Sequence, residues 1–321
     1  VLNTTNGKIY WKYQCGGQIK AAAACHVIED RTWAWVGAYD GYLYELDLVS
    51  KVCRRRFCCG GAIFATPVVV HKSPRGLKEK NQDFGIIVCS TKNHKVWFLN
   101  INKPNSPQIT RYWDVELPAP IFATPAIVPL KSRRQPAAVA LVVGCCDGKC
   151  YGIDGRGTIK WTFDTVTSPR QPQEKYNELN CAIFSSALLL PETHNDPHHN
   201  KGAMLAYFGC HDGSLFCIST ADGQLRWRRH FKRGAVFASP LGLLAHGEPQ
   251  PHTATSVAYI VTVTTGTSQE GGSMFLVEAS TGRIAQQLAF GGQLFSSPIY
   301  TDTGNIVVGC RDNFMYGVST G

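Results

Sequence analysis

Three groups of side chains in this 321-residue sequence have the types that enzymes use for chemistry. Two pairs of adjacent cysteines, Cys58-Cys59 and Cys145-Cys146, are candidate redox groups. The segment 194–199 contains three histidines and one aspartate, a combination of side chains that can bind zinc. Four aspartates that each precede Gly or Asn in similar phrases are candidate acid–base groups: Asp40, Asp147, Asp212 and Asp312.

A structural role explains each of these groups better than a chemical one. Alternation along a strand puts one thiol of each cysteine pair into the core and its neighbour on the other face. The four aspartates share one turn position, where Asp bonds locally to the backbone. Segment 194–199 matches no standard zinc spacing and is polar, which is typical of a solvated loop. We therefore predict no catalytic residue and no metal site, and leave any cofactor-binding residue unassigned.

The basic residues favour an interaction surface. The chain has 32 Lys and Arg against 23 Asp and Glu, a net charge of +9. Four long insertions, at 71–84, 131–136, 191–202 and 245–255, interrupt the chain at the same point of a repeated unit and are expected on one face. Two of them concentrate positive charge, and their cations are the partner-binding candidates: Lys72, Arg75, Lys78, Lys80, Lys131, Arg133 and Arg134. Nucleic acid is disfavoured as the partner, because no aromatic residues interleave these loops.

Two recurring phrases indicate which elements position these residues. The first is IFATP at 63–67 and 121–125, with variants at 183–187, 236–240 and 294–298. The second is VGAYDGYLY at 36–44, with variants at 143–151, 208–216 and 308–316. In the second phrase Asp-Gly separates two alternating runs, which predicts a β-hairpin with a type I′ turn. A third run often carries a tryptophan after a Gly-containing turn, as at Trp11, Trp161 and Trp227.

These runs predict an all-β protein, a β-propeller of four-stranded antiparallel blades. Six repeat units fill a single domain, 1–321, at approximately 8–51, 52–108, 109–157, 158–223, 224–282 and 283–321. The chain ends after the third strand of its last unit and starts with a fourth-strand phrase. Two arrangements stay open: a closed six-bladed ring, or a fragment of a larger propeller with seven or eight blades. Segment 164–179 joins two blades and is expected on the face opposite the insertions.

Composition narrows the class of protein further. At 44% hydrophobic and 17% charged residues, the chain is expected to fold rather than stay disordered. Its apolar runs are far shorter than the roughly 20 residues that a membrane span requires. The sequence begins at Val1 in the middle of a pattern, so we expect it to be a piece of a longer protein. Thirteen cysteines, an odd number, are expected to be mostly reduced thiols, which favours a cytoplasmic location.

The phrases at 37–47 and 295–298, with the tryptophan after the turn, resemble the repeats of pyrroloquinoline-quinone-type propellers over essentially the whole chain. The run 292–321 more narrowly resembles the C-terminal end of the β-alanine-activating enzymes, in the acyl-CoA synthetase family. That resemblance implies that an adenylation domain and a carrier domain precede the propeller, with the ATP, substrate and phosphopantetheine sites there. It also favours the larger ring. Arg54 to Arg56 and Leu288 depart from the pattern, because they stand where a blade tryptophan is expected.

The resulting functional prediction is a non-catalytic docking module of a β-alanine-activating, ATP-dependent ligase-type enzyme. Its expected partners are the upstream adenylation and carrier domains or an acidic protein, with no membrane involved and no cofactor in this chain. One alternative is a quinone-dependent oxidoreductase, since some such enzymes place an adjacent-cysteine disulfide beside the quinone. The other is an acceptor-binding domain for an acyl group that the carrier delivers.

Overall fold

The computed structural model describes residues 1–28, 30–72, 83–101, 108–129, 139–168, 181–192, 204–232, 234–244, 258–267 and 269–319. Every regular element in these residues is a β-strand, as the sequence predicts. In chain order they are β1 (Ala24–Ile28), β2 (Arg31–Gly37), β3 (Tyr42–Asp47), β4 (Val52–Cys58), β5 (Val68–Lys72), β6 (Asp83–Cys89), β7 (Lys95–Asn100), β8 (Thr110–Glu116), β9 (Ala126–Ile127), β10 (Val139–Gly144), β11 (Lys149–Asp154), β12 (Ile159–Asp164), β13 (Leu188–Pro191), β14 (Met204–Gly209), β15 (Ser214–Ser219), β16 (Leu225–His230), β17 (Leu241–Leu244), β18 (Ala258–Thr264), β19 (Ser273–Glu278), β20 (Ile284–Ala289), β21 (Ile299–Tyr300), β22 (Asn305–Gly309) and β23 (Met315–Ser319).

The strands form consecutive antiparallel sheets in which each strand pairs with its neighbour in the chain. Among the described residues five sheets have four strands, and the last, β21–β23, has three, so the predicted blades are confirmed. Each four-stranded sheet ends with the strand that opens the next repeat unit of the sequence. The first sheet, for example, includes β4, whereas the unit predicted at 8–51 stops before it. Sequence repeat and sheet are therefore offset by one strand.

The turn between the second and third strand differs from the predicted type. In three blades φ is positive at Gly41, Gly148 and Gly213 but not at the aspartate before each of them. The amide of Gly41 donates to the carbonyl of Ala38 at 3.1 Å, and the other two turns repeat this bond. This pattern is a type I turn followed by a glycine in the left-handed region, so the type I′ prediction is wrong. The aspartate keeps a negative φ. The glycine adopts the left-handed conformation, which costs it little because it has no Cβ.

The chain divides into two compact units, Val1–Thr124 and Pro125–Gly321. In the first, Trp33, Trp35 and Leu43 pack against Ile86 and other apolar residues of the second sheet. In the second, successive sheets pack in the same face-to-face way. Each unit therefore has its core between neighbouring blades, which is how the repeats of a propeller bury their apolar faces.

The two sequence phrases are coupled by a close approach at two blade interfaces of the second unit. A Cβ on Gly144 would overlap with Ile183, and one on Gly209 would overlap with Val236. The branched residue of the first phrase thus lies directly over the glycine of the second. This contact explains why the two phrases recur together.

In the second unit, two outer strands dock onto the next blade through a tryptophan side chain. The Nε1 atom of Trp161, on β12, donates to the carbonyl of Thr220 at 3.0 Å, and Trp227, on β16, donates to Ala279 at 2.9 Å. Both carbonyls lie just after the third strand of the following blade. A Cβ on Gly223 would lie 2.7 Å from the Trp161 ring, so glycine leaves room for the indole.

The first blade uses an arginine for the same contact. Arg55 lies opposite Glu45 on β3, the position equivalent to that of Trp227 opposite Cys217 on β15. The NH2 of Arg55 donates to the carbonyl of Ile101 at 3.3 Å. Of the three arginines predicted to replace the tryptophan, Arg55 is the one that does so. In the fifth blade the equivalent residue is Gln286, opposite Leu276, so the prediction of Leu288 is wrong by two positions.

Candidate functional site

The turn aspartates are used to hold the hairpins. Asp147 accepts from the amide of Lys149 at 3.0 Å through Oδ1 and from the Tyr151 hydroxyl at 2.5 Å through Oδ2. Asp312 and Tyr316 repeat the pair at 2.6 Å. The bond from Tyr316 lowers the pKa of Asp312, and burial followed by the bond to Asp147 raises the pKa of Tyr151. These carboxylates are structural acceptors within the hairpins, as predicted.

In the fourth blade Phe216 stands in place of the tyrosine, and Asp212 is instead part of a polar network with Arg228. Arg228 donates from NH2 to Oδ2 of Asp212 at 3.4 Å and from Nε to the Ser214 hydroxyl at 3.0 Å. Nδ1 of His230 lies 3.2 Å from the same hydroxyl. Serine, histidine and aspartate are the types of a nucleophilic triad, but Ser214 is fully buried and takes a hydrogen bond from Arg228. The network therefore stabilises the turn. In the sequence, this network is indicated by a phenylalanine at the position where the other copies of the second phrase have tyrosine.

The adjacent cysteines divide between core and surface, as predicted. Cys59 is buried and Cys58 exposed, whereas Cys145 is buried and Cys146 partly buried. Burial raises the pKa of Cys59, and burial together with Asp147 raises the pKa of Cys146 to about 11. At neutral pH both groups are protonated thiols. All thirteen cysteines lie in the described part of the chain, and none forms a disulfide bond there.

Aromatic side chains of the first phrase line up in each unit. In Val1–Thr124, Phe64 packs edge-on against Phe122 at 5.1 Å between centroids and against Tyr39 at 6.3 Å. In Pro125–Gly321, Phe184, Phe237 and Phe295 form a similar line, here called the phenylalanine row. The centroid distances along the row are 4.9 Å and 5.7 Å.

Two polar side chains flank the phenylalanine row. The guanidinium of Arg311 lies 4.0 Å from the Phe295 centroid, and the imidazole of His211 meets Phe184 edge-on at 5.8 Å. Arg311 is exposed and His211 partly buried, with a pKa lowered by that burial. Neither residue is among the site residues predicted from the sequence, although each occupies the position just before a turn aspartate.

The predicted partner-binding residues fall almost entirely outside the described residues. Arg75, Lys78, Lys80, Lys131, Arg133 and Arg134 lie there, and only the backbone of Lys72 is described, paired with Asp83 in the β5–β6 hairpin. The histidine segment 194–199 and residues 169–179 of the inter-blade segment also lie outside the described residues. The four insertions do connect the first strand of a blade to its second, as predicted.

Two further features bear on the class of site. Within the ranges that the structure describes, no three His, Cys, Asp or Glu side chains come together as a metal site would require. No helix of those ranges is both long and apolar enough to cross a bilayer.

Four-stranded antiparallel sheets that repeat along the chain and pack face to face within each unit define a β-propeller. The sequence matches the family of the β-propeller of β-alanine-activating enzymes over residues 1–320, and the chain belongs to that family. It is 25% identical over 320 residues to the β-alanine-activating enzyme of Drosophila melanogaster, covering 88% of this chain and 28% of that protein. The Danio rerio enzyme is 26% identical over 108 residues, 34% of this chain and 8% of that protein. The chain thus spans only a minor part of these relatives. Among solved structures, BamB from Moraxella catarrhalis matches with a TM-score of 0.49 and 14% identity, covering 96% of this chain and 87% of that one.

Proposed function

We propose that this propeller is a non-catalytic docking module of a β-alanine-activating enzyme. The observation that carries the proposal is the family match, which covers essentially the whole chain and describes the propeller of those enzymes. The region similar to this chain makes up only 28% of the fly relative. The side chains best suited to chemistry are engaged in blade structure, since the turn aspartates accept from tyrosines or Arg228. Adenylation of the acid, a ligase-type reaction, belongs to the domains that precede the propeller in this proposal.

The proposed partner is an acidic protein surface, either on the adenylation and carrier domains or on a separate protein. A net charge of +9 supports this choice, because opposite charge accelerates association between protein surfaces. The proposed location is the cytoplasm, since buried thiols such as Cys59 and Cys145 act as small apolar core residues that need no oxidising compartment.

Reversing charge in the second basic insertion tests the docking surface. The double change Arg133→Glu and Arg134→Glu is expected to slow association of the propeller with the separately expressed upstream domains by about tenfold or less at low salt. Rim charges act mainly on the association rate and are screened beyond about 10 Å at 0.1 M salt, so the difference should vanish in high salt. Stopped-flow or surface-based kinetics measure the rate.

The matched control is Lys8→Glu with Lys12→Glu, which changes the net charge equally at two exposed residues of the N-terminal segment. If the control slows association as much as the insertion variant does, net charge rather than the insertion face is responsible. An unchanged rate for the insertion variant with every partner would exclude that face.

The oxidoreductase alternative predicts a response that the docking proposal does not. We expect that pyrroloquinoline quinone with calcium neither raises the melting temperature nor supports dye reduction with alcohols or sugars. A ligand at about 100 times its Kd would add about 2.7 kcal/mol to stability. A saturable upward shift that disappears when Cys58 and Cys146 are changed to serine would favour the oxidoreductase.

A further inference from the structure

The first phrase of each blade has one side facing the core and one facing away from it. Along 236–240 the buried residues are Val236, Ala238 and Pro240, while Phe237 and Ser239 between them are only partly buried. Because alternate residues of an extended segment share a side, each ring of the phenylalanine row lies on the same side as the hydroxyl two residues later. The row therefore forms a strip of rings and hydroxyls on the side away from the core.

The hydroxyls of this strip are organised by the backbone. Ser239 Oγ accepts from the amide of Ser186 at 2.9 Å, and Ser297 Oγ accepts from the amide of Ser239 at 2.9 Å. A hydroxyl that accepts from an amide retains its own proton for donation. Both hydroxyls are therefore held in place as donors for an additional acceptor.

The ends of the strip differ in charge. Arg311 is exposed, and its side chain contacts the Phe295 ring at 4.0 Å and Oε1 of Gln293 at 3.5 Å. Neither of these contacts is with a carboxylate. At the other end His211 is held neutral at physiological pH by burial, which lowers its pKa. A bound anion would accordingly sit at the Arg311 end.

We propose that the phenylalanine row binds an extended acidic peptide segment of a partner protein, with an apolar or aromatic side chain over Phe237 and a carboxylate at Arg311. Extended chain advances about 3.3 Å per residue, so the centroid distances of 4.9 Å and 5.7 Å suit a segment of about three residues. The serine hydroxyls supply donors to its carbonyls. This inference rests on the proposed docking function and names the chemistry of the partner.

The test uses the full-length protein and an N-acetylated, C-amidated tripeptide with tryptophan between two glutamates, titrated at 50 mM salt by calorimetry or ligand-observed NMR. Saturable binding is expected. Arg311→Gln should weaken it about fivefold, the upper range for an exposed ion pair, and the loss should shrink in 0.5 M salt. Phe237→Leu, which keeps an apolar side chain in the row, should weaken it as well.

Arg283→Gln is the matched control, because Arg283 is another exposed arginine of the same unit and pairs with Glu278 away from the row. Its affinity for the tripeptide should equal wild type. Equal effects of the Arg311 and Arg283 variants would overturn the proposal, as would equal binding of a tripeptide with glutamine in place of both glutamates. If the tripeptide does not bind but the Arg133 and Arg134 reversal still slows association, the phenylalanine row is not the binding site and the docking function is still supported.

Discussion

Changing Arg55 to methionine is expected to lower the free energy of unfolding by about 3–5 kcal/mol, since it leaves Glu45 charged and buried without its partner. The Arg55 and Glu45 side chains are 3% and 1% exposed, and Nε lies 2.7 Å from Oε1. Glu45 also accepts from Nε1 of Trp35 at 3.1 Å, so the change disturbs a network that reaches the core of the first unit. Denaturant unfolding followed by tryptophan fluorescence measures the loss.

Two variants separate the buried pair from general effects of removing an arginine. Arg54→Met removes an arginine that is 43% exposed and pairs with Asp47 at 3.4 Å, so a change of about 1 kcal/mol or less is expected. Adding Glu45→Gln to Arg55→Met removes the buried charge while retaining an acceptor for Trp35, and should recover part of the loss. If the double variant is no more stable than Arg55→Met, the lost contact with the second blade dominates instead.

Trp227→Ala is expected to lower the free energy of unfolding by about 3–5 kcal/mol, because it empties the space that the indole fills between two blades. The ring lies over Gly282, where a Cβ would be 2.6 Å away, and packs against Tyr207 at 5.8 Å between centroids. Its hydrogen bond to the Ala279 carbonyl is lost too. Thermal or denaturant unfolding of the variant measures this effect.

The control for this prediction is Leu288→Ala on β20, an outer strand whose residues are all exposed. Leu288 is 45% exposed, so its removal is expected to cost much less than that of Trp227. Trp227→Phe keeps most of the packing and should have an intermediate effect. A Trp227→Ala variant as stable as Leu288→Ala would mean that the tryptophan does not lock the blades.

The sequence predicts the sheets well because their determinants are local. Alternation, Asp-Gly turns and the recurring glycine of the second phrase each act within a few residues, and the strands follow them. The turn type was missed because Asp-Gly suits two hairpin geometries, and the phrase alone does not show which residue takes the positive φ. Gln286 lies opposite Leu276, two residues before Leu288, and this register is set by the pairing between strands.

The candidate sites depend on contacts between distant residues, and the sequence predicts these less completely. The structural role of the turn aspartates is predictable because all four share one position of the repeat, where Asp bonds locally to the backbone. Arg55 reaching Ile101, and Arg228 replacing a tyrosine beside Asp212, require knowledge of which strands become neighbours. The contacts of Arg311 and His211 could not be predicted for a similar reason, since only the fold brings these residues against rings of the first phrase.

The central claim is that the propeller docks partners and contributes no catalytic group. Its most direct test is β-alanine-dependent exchange between ATP and pyrophosphate, compared in the full-length protein and in a form lacking residues 1–321, with folding of the shortened form checked by its unfolding transition. We predict exchange rates that agree within about twofold. Loss of exchange in a folded shortened form, restored by adding the separate propeller, would contradict the claim and place a catalytic contribution within this chain.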